Sequence, residues 1–207
     1  MKQKEDYLED ISEIRNIMER SSNFISLSGL SGIMAGIYAL IGSFFAYKIV
    51  YIKGSILGLR EVYMNEQEAI MKLGIIAVVV LVLAVSTGLY LTYKKNGSAS
   101  LSFADTGFRN LLENLLIPLV AGGVFILILV SRGYYSIVAP SFLLFYGLAL
   151  INGSKYTIRD IKYLGLVEII LGLICAFFPG YGLTFWAIGF GVMHILYGAI
   201  MYYKYER

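Results

Sequence analysis

Two side chains that can exchange a proton lie inside one long apolar stretch near the end of the chain. Across residues 163–203, Glu168 is the only Asp, Glu, Lys or Arg, and His194 is the single histidine of the sequence. Burial favours the neutral forms of a carboxyl and an imidazole, whereas pairing favours the charged forms, so a buried pair can pass a proton. These residue types therefore indicate proton or ion chemistry inside a membrane.

The spacing of the two residues predicts that they lie at one depth. A tight turn is expected near Tyr181, and Glu168 and His194 each lie 13 residues from it. In an antiparallel hairpin both would lie roughly 20 Å from the turn, and Tyr197, one helical turn beyond His194, would extend the network. Two interpretations stay open: a proton relay or substrate site, and a single interhelical hydrogen bond that locks the hairpin, worth about 0.6 kcal/mol.

The elements that must position these residues are apolar helices. Besides residues 163–203, four runs contain no Asp, Glu, Lys or Arg: residues 21–47, 73–93, 114–131 and 133–154. A helix needs roughly 20 apolar residues to cross a bilayer core, and backbone polar groups in lipid must be satisfied internally. We therefore predict an all-α membrane protein with six transmembrane helices in three hairpins, at about residues 24–47, 73–93, 114–131, 135–152, 163–178 and 183–203.

The composition excludes several classes of function. Apolar residues make up 58% of the 207-residue chain and charged residues 15%, whereas a soluble domain has about 25% charged residues. Six spans leave no room for a separate soluble enzymatic domain. One histidine and one cysteine, Cys175, cannot build a zinc site, and the usual nucleotide-binding and hydrolase motifs are absent. We expect no catalytic residues, no metal, no cofactor and, at a net charge of +3, no nucleic acid partner.

The distribution of Lys and Arg predicts the orientation. Twelve of the 17 basic side chains fall on the side that holds both termini, and five fall on the other, so both termini should be cytoplasmic. Residues 1–22 show helical periodicity, with Tyr7, Ile11, Ile14 and Met18 on one face. We predict an amphipathic cytoplasmic helix there, which either continues the first span or lies on the membrane surface.

The first span carries small residues at helical spacing along one face. Small side chains let helix backbones approach closely in a membrane, so this face predicts a packing stripe whose partner is either another span or a second protomer. The stripe consists of Ser28, Gly32, Ala35, Ala39, Gly42 and Ala46.

Two functional hypotheses follow. The first is a non-enzymatic membrane component, surrounded by the lipid bilayer, that acts through contacts of the packing stripe and the N-terminal helix with a second copy or another membrane protein. The alternative is a small channel or transporter for protons or a small solute that uses the Glu168–His194 pair. In that case Pro118 and the following Gly122-Gly123 would mark an interrupted helix, although close packing in a six-helix bundle is the preferred explanation of these residues.

The last hairpin resembles a known family. The three hairpins look alike, because Tyr146-Gly147 and Tyr197-Gly198 match as dipeptides and Asn-Gly-Ser follows the second and fourth spans. The motifs of the last hairpin are similar to the hairpin unit of the HdeD-like acid-resistance membrane proteins. They are Leu164-Gly165-Leu166-Val167, Leu171-Gly172, Phe178-Pro179, Ile188-Gly189 and Tyr197-Gly198.

This resemblance implies a small, stress-linked protein of the bacterial cytoplasmic membrane and implies no catalytic residues. It covers about 40 residues, and the long external connection of the first hairpin departs from the family's pattern. The chain as a whole also resembles bacterial six-span membrane proteins of unassigned activity.

Overall fold

The computed structural model describes Ile11 and residues 28–50, 66–96 and 106–207. The predicted amphipathic helix at residues 1–22 lies outside the described residues except for Ile11, and so does the start of the first predicted span. Every regular element in the described ranges is helical. This agrees with the predicted all-α class.

Within the described part of residues 28–207, six helical regions follow one another. We number them α1 to α6; a 3₁₀ turn at Tyr135–Ile137 leads into α4, and α6 has three consecutive parts. The helices are α1 (Gly29–Val50), α2 (Glu66–Asn96), α3 (Thr106–Ser131), α4 (Val138–Gly153), α5 (Ile161–Phe177) and α6 (α-helical Gly182–Trp186, π-helical Ala187–Met193 and α-helical His194–Tyr205).

Five of these helices are long and apolar enough to cross a membrane. The remaining one, α5, has 17 residues, which gives it a length of about 26 Å against a bilayer core of roughly 30 Å. Several apolar helices of this kind are compatible with a membrane protein. The six-span count remains a prediction.

Two helices begin a full turn or more before the charge-free runs that predicted them. The second helix begins at Glu66, where Glu68 pairs with Lys72 one turn later at 2.6 Å. The third begins at Thr106, and Arg109 pairs with Glu113 at 3.3 Å. Charges at i and i+4 support a helix, so absence of charge marked the apolar part of each helix and not its full length.

The helices pack as two groups of three. In one group α1 lies between α2 and α6, and in the other α4 lies between α3 and α5. We call α1, α2 and α6 the first unit, and α3, α4 and α5 the second unit. The first part and the π-helical part of α6 make the main contacts between the units. The helices of the predicted last hairpin, α5 and α6, therefore contact each other mainly near the turn between them. Each packs mainly on a different helix, α5 on α4 and α6 on α1.

Glycine brings α4 and α5 into backbone contact. A Cβ placed on Gly147 would lie 2.6 Å from the carbonyl oxygen of Gly165, and a Cβ on Gly165 would lie 2.7 Å from that of Gly147. The side chains of Ile169 and Ile151 flank the two glycines. No larger residue fits at this spacing, so the seam depends on glycine on both helices.

A second glycine seam joins α1 and α6. A Cβ on Gly36 would lie 2.6 Å from the carbonyl oxygen of Gly191 and 2.6 Å from Cγ1 of Ile195. One on Gly198 would lie 2.6 Å from the backbone nitrogen of Ile33. The two seams are built alike, with the glycine of one helix against a glycine and the isoleucine four residues beyond it.

The predicted packing stripe of α1 faces other helices of the same chain. Gly32 lies against Gly198 of α6, and Gly42 lies against Val80 of α2. Ser28, Ala39 and Ala46 are buried, and Ala35 is partly buried. The closest contacts between α1 and α6 lie beside the stripe, at Gly29 and Gly36.

Helix α3 continues through Pro118 and is not interrupted there. Proline has no backbone N–H, so the carbonyl four residues earlier, that of Asn114, loses its helical partner. The side-chain amide of Asn152 in α4 donates to this carbonyl at 3.0 Å. Gly122 packs closely against Phe145, which agrees with the packing interpretation of this segment.

Hydrogen bonds bring the start of α1, the end of α6 and the segment before α5 together at one end of the helices. The carboxylate of Glu206 accepts from the backbone N–H of Gly29. Asp160 accepts from the ammonium of Lys204 and, at 3.1 Å, from the hydroxyl of Tyr205. The hydrogen bond from Lys204 is the main reason that the pKa of Asp160 lies below its usual value.

We expect Gly147→Ala to lower the free energy of unfolding by about 1–3 kcal/mol, because the new methyl group would push α4 and α5 apart. The control is Gly123→Ala in α3, where a Cβ would meet nothing within 4 Å. Unfolding in detergent, driven by SDS and followed by circular dichroism, measures both. Equal stability of the two variants would contradict the seam.

We also expect Asn152→Leu to destabilise the protein by about 1 kcal/mol, because it orphans the Asn114 carbonyl in an apolar setting. The same substitution in a Pro118→Ala background should have a much smaller effect, since residue 118 then supplies the missing N–H. The double-mutant cycle is measured by the same SDS titration. An identical loss in both backgrounds would show that the proline-linked bond is not the cause.

Candidate functional site

The structure brings Glu168 and His194 together at the contact between the two units. Glu168 lies in the middle of α5 and is fully buried, and His194 opens the last part of α6 and is 6% exposed. Their closest atoms, Nδ1 of His194 and Oε1 of Glu168, are 3.5 Å apart. The two side chains are therefore adjacent, as expected for positions at equal distances from the turn near Tyr181.

Both residues hold the same place relative to a glycine seam. Glu168 follows Gly165 by three residues and directly precedes Ile169. His194 follows Gly191 by three residues and directly precedes Ile195. Each side chain is thus positioned by the seam of its own unit.

Two hydrogen bonds fix the imidazole of His194. Its Nδ1 lies 3.0 Å from the carbonyl oxygen of Gly189, and its Nε2 lies 2.7 Å from the hydroxyl of Tyr146 in α4. A carbonyl can only accept, so Nδ1 carries the proton, and in the neutral ring Nε2 then accepts from the Tyr146 hydroxyl. The neutral Nδ1–H tautomer satisfies both contacts.

The π-helical part of α6 shapes the site. It runs from Ala187 to Met193 and ends directly before His194. The carbonyl that His194 uses belongs to Gly189, five residues earlier, and the wider π-helical turn helps to make it accessible. A Cβ on Gly189 would lie 2.5 Å from Oε2 of Glu168, so glycine also leaves space for the carboxyl group.

The carboxyl group of Glu168 has unused hydrogen-bonding capacity. Neither oxygen has a hydrogen-bond partner among the described residues, and the nearby Nδ1 proton of His194 is directed at Gly189. A buried carboxylate without donors is costly unless it binds a proton or meets a positive charge. The site can therefore take up a proton or a cation at Glu168.

Tyr197 was predicted to extend the Glu168–His194 network, but it does not join it. Its hydroxyl is buried and makes no hydrogen bond within the part of the chain that the structure describes. Its ring packs against a cluster formed by Leu150, Ile161 and Leu164. One helical turn along α6 directs this side chain to the α4–α5 side and away from the His194 ring.

Tyr146 is a partner of His194 that the sequence did not predict. The sequence feature that drew attention to Tyr146 was the match between Tyr146-Gly147 and Tyr197-Gly198, which suggested a repeat and not a contact. The packing of α4 beside α6 brings Tyr146 into reach, and spacing within the last hairpin carries no information about that packing. As for metal ligands, no three His, Cys, Asp or Glu side chains cluster in the described ranges.

Comparison of the chain with protein-family models, curated proteins and solved structures gives no match. The class therefore follows from the chain itself. The structure is helical, and several of its helices are long and apolar enough to lie in a membrane. The resemblance to the HdeD-like proteins stays a prediction.

The tautomer of His194 can be tested by nitrogen NMR, because the chain has one histidine. With ¹⁵N-labelled histidine we expect a protonated Nδ1 and an unprotonated, hydrogen-bonded Nε2. Tyr146→Phe should move the Nε2 signal downfield by several ppm and cost about 0.6 kcal/mol of stability, since it removes one interhelical hydrogen bond.

Tyr197→Phe is the matched control for this experiment, because the hydroxyl that it removes has no partner among the described residues. It should leave both nitrogen signals in place. A protonated Nε2 in the native protein, or the same shift in both variants, would contradict the assigned network.

Proposed function

We propose that this chain is a non-enzymatic, multi-pass membrane protein that conducts protons through Glu168, His194 and Tyr146. The observation that carries the proposal is the Glu168 carboxyl, fully buried, without a hydrogen-bond donor among the described residues, and 3.5 Å from the single imidazole. Ionisable groups inside a membrane are costly and usually serve ion or proton movement.

The imidazole has the arrangement that a relay needs. In the neutral ring the lone pair of Nε2 is directed at the Tyr146 hydroxyl, and the protonated Nδ1 atom lies 3.5 Å from Oε1 of Glu168. A proton that arrives at Nε2 makes the ring cationic. The Nδ1 proton can then leave Gly189 and pass to the Glu168 carboxylate, which restores the neutral ring with the opposite tautomer.

We place this activity in a six-span protein of the bacterial cytoplasmic membrane with both termini in the cytoplasm. An apolar α5 supports the sixth crossing, although it is short. An even number of crossings also fits the Glu206–Gly29 hydrogen bond, which joins the two ends of the membrane domain. The bias of Lys and Arg supports the orientation, and the HdeD-like hairpin motifs support the bacterial membrane.

The contact hypothesis is the second candidate. The packing stripe of α1 faces α6 and α2 of the same chain, which leaves less of it for a second protomer. The observation that favours a partner is the exposure of α2, of whose apolar stretch 6% is buried. Lipid tails would cover this surface equally well, so we rank assembly through α2 below proton conduction.

Proton flux into reconstituted vesicles tests the leading proposal. We expect the native chain to dissipate a pH gradient at least about tenfold faster than empty vesicles, and Glu168→Gln to lose this activity while remaining folded. The control Glu113→Gln makes the same chemical change at an exposed glutamate of α3 and should keep native flux. Absence of flux from the native chain, or native flux in Glu168→Gln, would refute the relay.

A further inference from the structure

A run of aromatic rings leads from the first turn of α6 to the buried carboxyl. The ring of Trp186 lies 5.2 Å from that of Phe190, which lies 5.0 Å from that of Tyr146. Tyr146 in turn lies 5.3 Å from the His194 ring, beside Glu168. These centroid distances fall in the range of favourable aromatic contacts. The proton relay uses only the last members of the run, so it does not explain Trp186 and Phe190.

The chemistry of this arrangement favours a cation with an apolar body. The faces of aromatic rings carry partial negative charge and attract cations, and organic ammonium groups are bound in this way. At the inner end lies a carboxyl group whose oxygens have no hydrogen-bond partner in the described ranges. Hard metal ions prefer six or more oxygen ligands, whereas one carboxyl and several rings suit a large, weakly hydrated cation.

We propose that Glu168 and the aromatic run of Trp186, Phe190 and Tyr146 bind a lipophilic organic cation in competition with a proton. This proposal rests on the proposed function, because it uses Glu168 as the proton-binding group. When the cation binds, the Glu168 carboxyl releases its proton to water and the carboxylate balances the positive charge. No covalent bond forms or breaks apart from the O–H bond of the carboxyl group.

The proposed site lies at the contact between the two units. Tyr146 and Glu168 belong to the second unit, whereas Trp186, Phe190 and His194 belong to the first. The glycine seams lie within the units. The start and the π-helical part of α6 make the main contacts between the units, and His194, Tyr197 and Lys204 in its last part add further ones. Separation of the units would expose the carboxyl and the rings together and would leave both seams intact.

Among the described residues, two titratable groups face Glu168 from the helices packed against it. They are His194 on α6, at 3.5 Å, and Tyr146 on α4, which hydrogen-bonds to His194. The approach of a cation favours the neutral imidazole, and both hydrogen bonds of His194 can be made by the neutral form. Cation binding should therefore depend on the protonation of Glu168 and strengthen as pH rises.

Binding of tetraphenylphosphonium to the purified full chain in detergent tests the proposal. Trp186 is the only tryptophan, so its fluorescence reports occupation of the run, and calorimetry gives the affinity. We expect affinity to rise at least about tenfold from a pH at which the Glu168 carboxyl is protonated to a pH at which it is ionised, with about one proton released per cation in weak buffer at the lower pH. Glu168→Gln should bind at least about tenfold more weakly, and Glu113→Gln should bind like the native chain.

Phe190→Leu provides a second variant that leaves the carboxyl in place, and it should weaken binding about fivefold through loss of the ring. Equal affinity in native chain, Glu168→Gln and Phe190→Leu would overturn the site, since it indicates partition into detergent. So would absence of binding at the higher pH. If Glu168→Gln does not fold, unchanged affinity in Phe190→Leu is enough to overturn it.

The two proposals fail in different ways. Proton flux without cation binding overturns the cation site and leaves the relay intact. Cation binding with proton release but without flux supports the cation site and overturns conduction through the relay. The flux measurement and the binding measurement on one preparation therefore separate the two.

Discussion

Close backbone packing at glycine holds this chain together. Helices in lipid gain little from burying apolar surface against one another, so van der Waals contact and interhelical hydrogen bonds must supply the stability. The Gly147–Gly165 and Gly36–Gly191 contacts place backbone against backbone and define the two units. The position of α6 follows from its seam with α1, and that position in turn brings His194 to Glu168.

Several buried polar groups of the described interior are satisfied locally. The described side chains that are buried without a hydrogen-bond partner are Thr92, Tyr197 and Glu168, and Glu168 is the one carboxyl among them. The hydroxyl of Ser43 donates to the Ala39 carbonyl, and the Asn152 amide serves the carbonyl that Pro118 leaves free. Moving a polar group from water into an apolar medium without a hydrogen-bond partner costs on the order of several kcal/mol. A fully buried carboxyl without a donor is thus expected to have a function that compensates for its cost.

The sequence predicted the apolar helices and the proximity of Glu168 and His194. It did not predict where the helices end or that Tyr146 contacts His194. Charge-free runs predicted the apolar helices, but their ends lay beyond the runs because Glu68 and Arg109 pair within a turn. Equal spacing from Tyr181 predicted that Glu168 and His194 share a depth. The choice of Tyr146 over Tyr197 depends on which helices pack together, and neither periodicity nor spacing within one hairpin carries that information.

The equivalent positions of Glu168 and His194 give their separation a mechanical meaning. Each is fixed three residues beyond its own seam glycine, so neither can move far unless its whole unit moves. The distance between the Glu168 carboxyl and the His194 imidazole therefore depends on how the two units are placed relative to each other. A change in the charge of the pair that alters this distance would therefore displace one unit relative to the other.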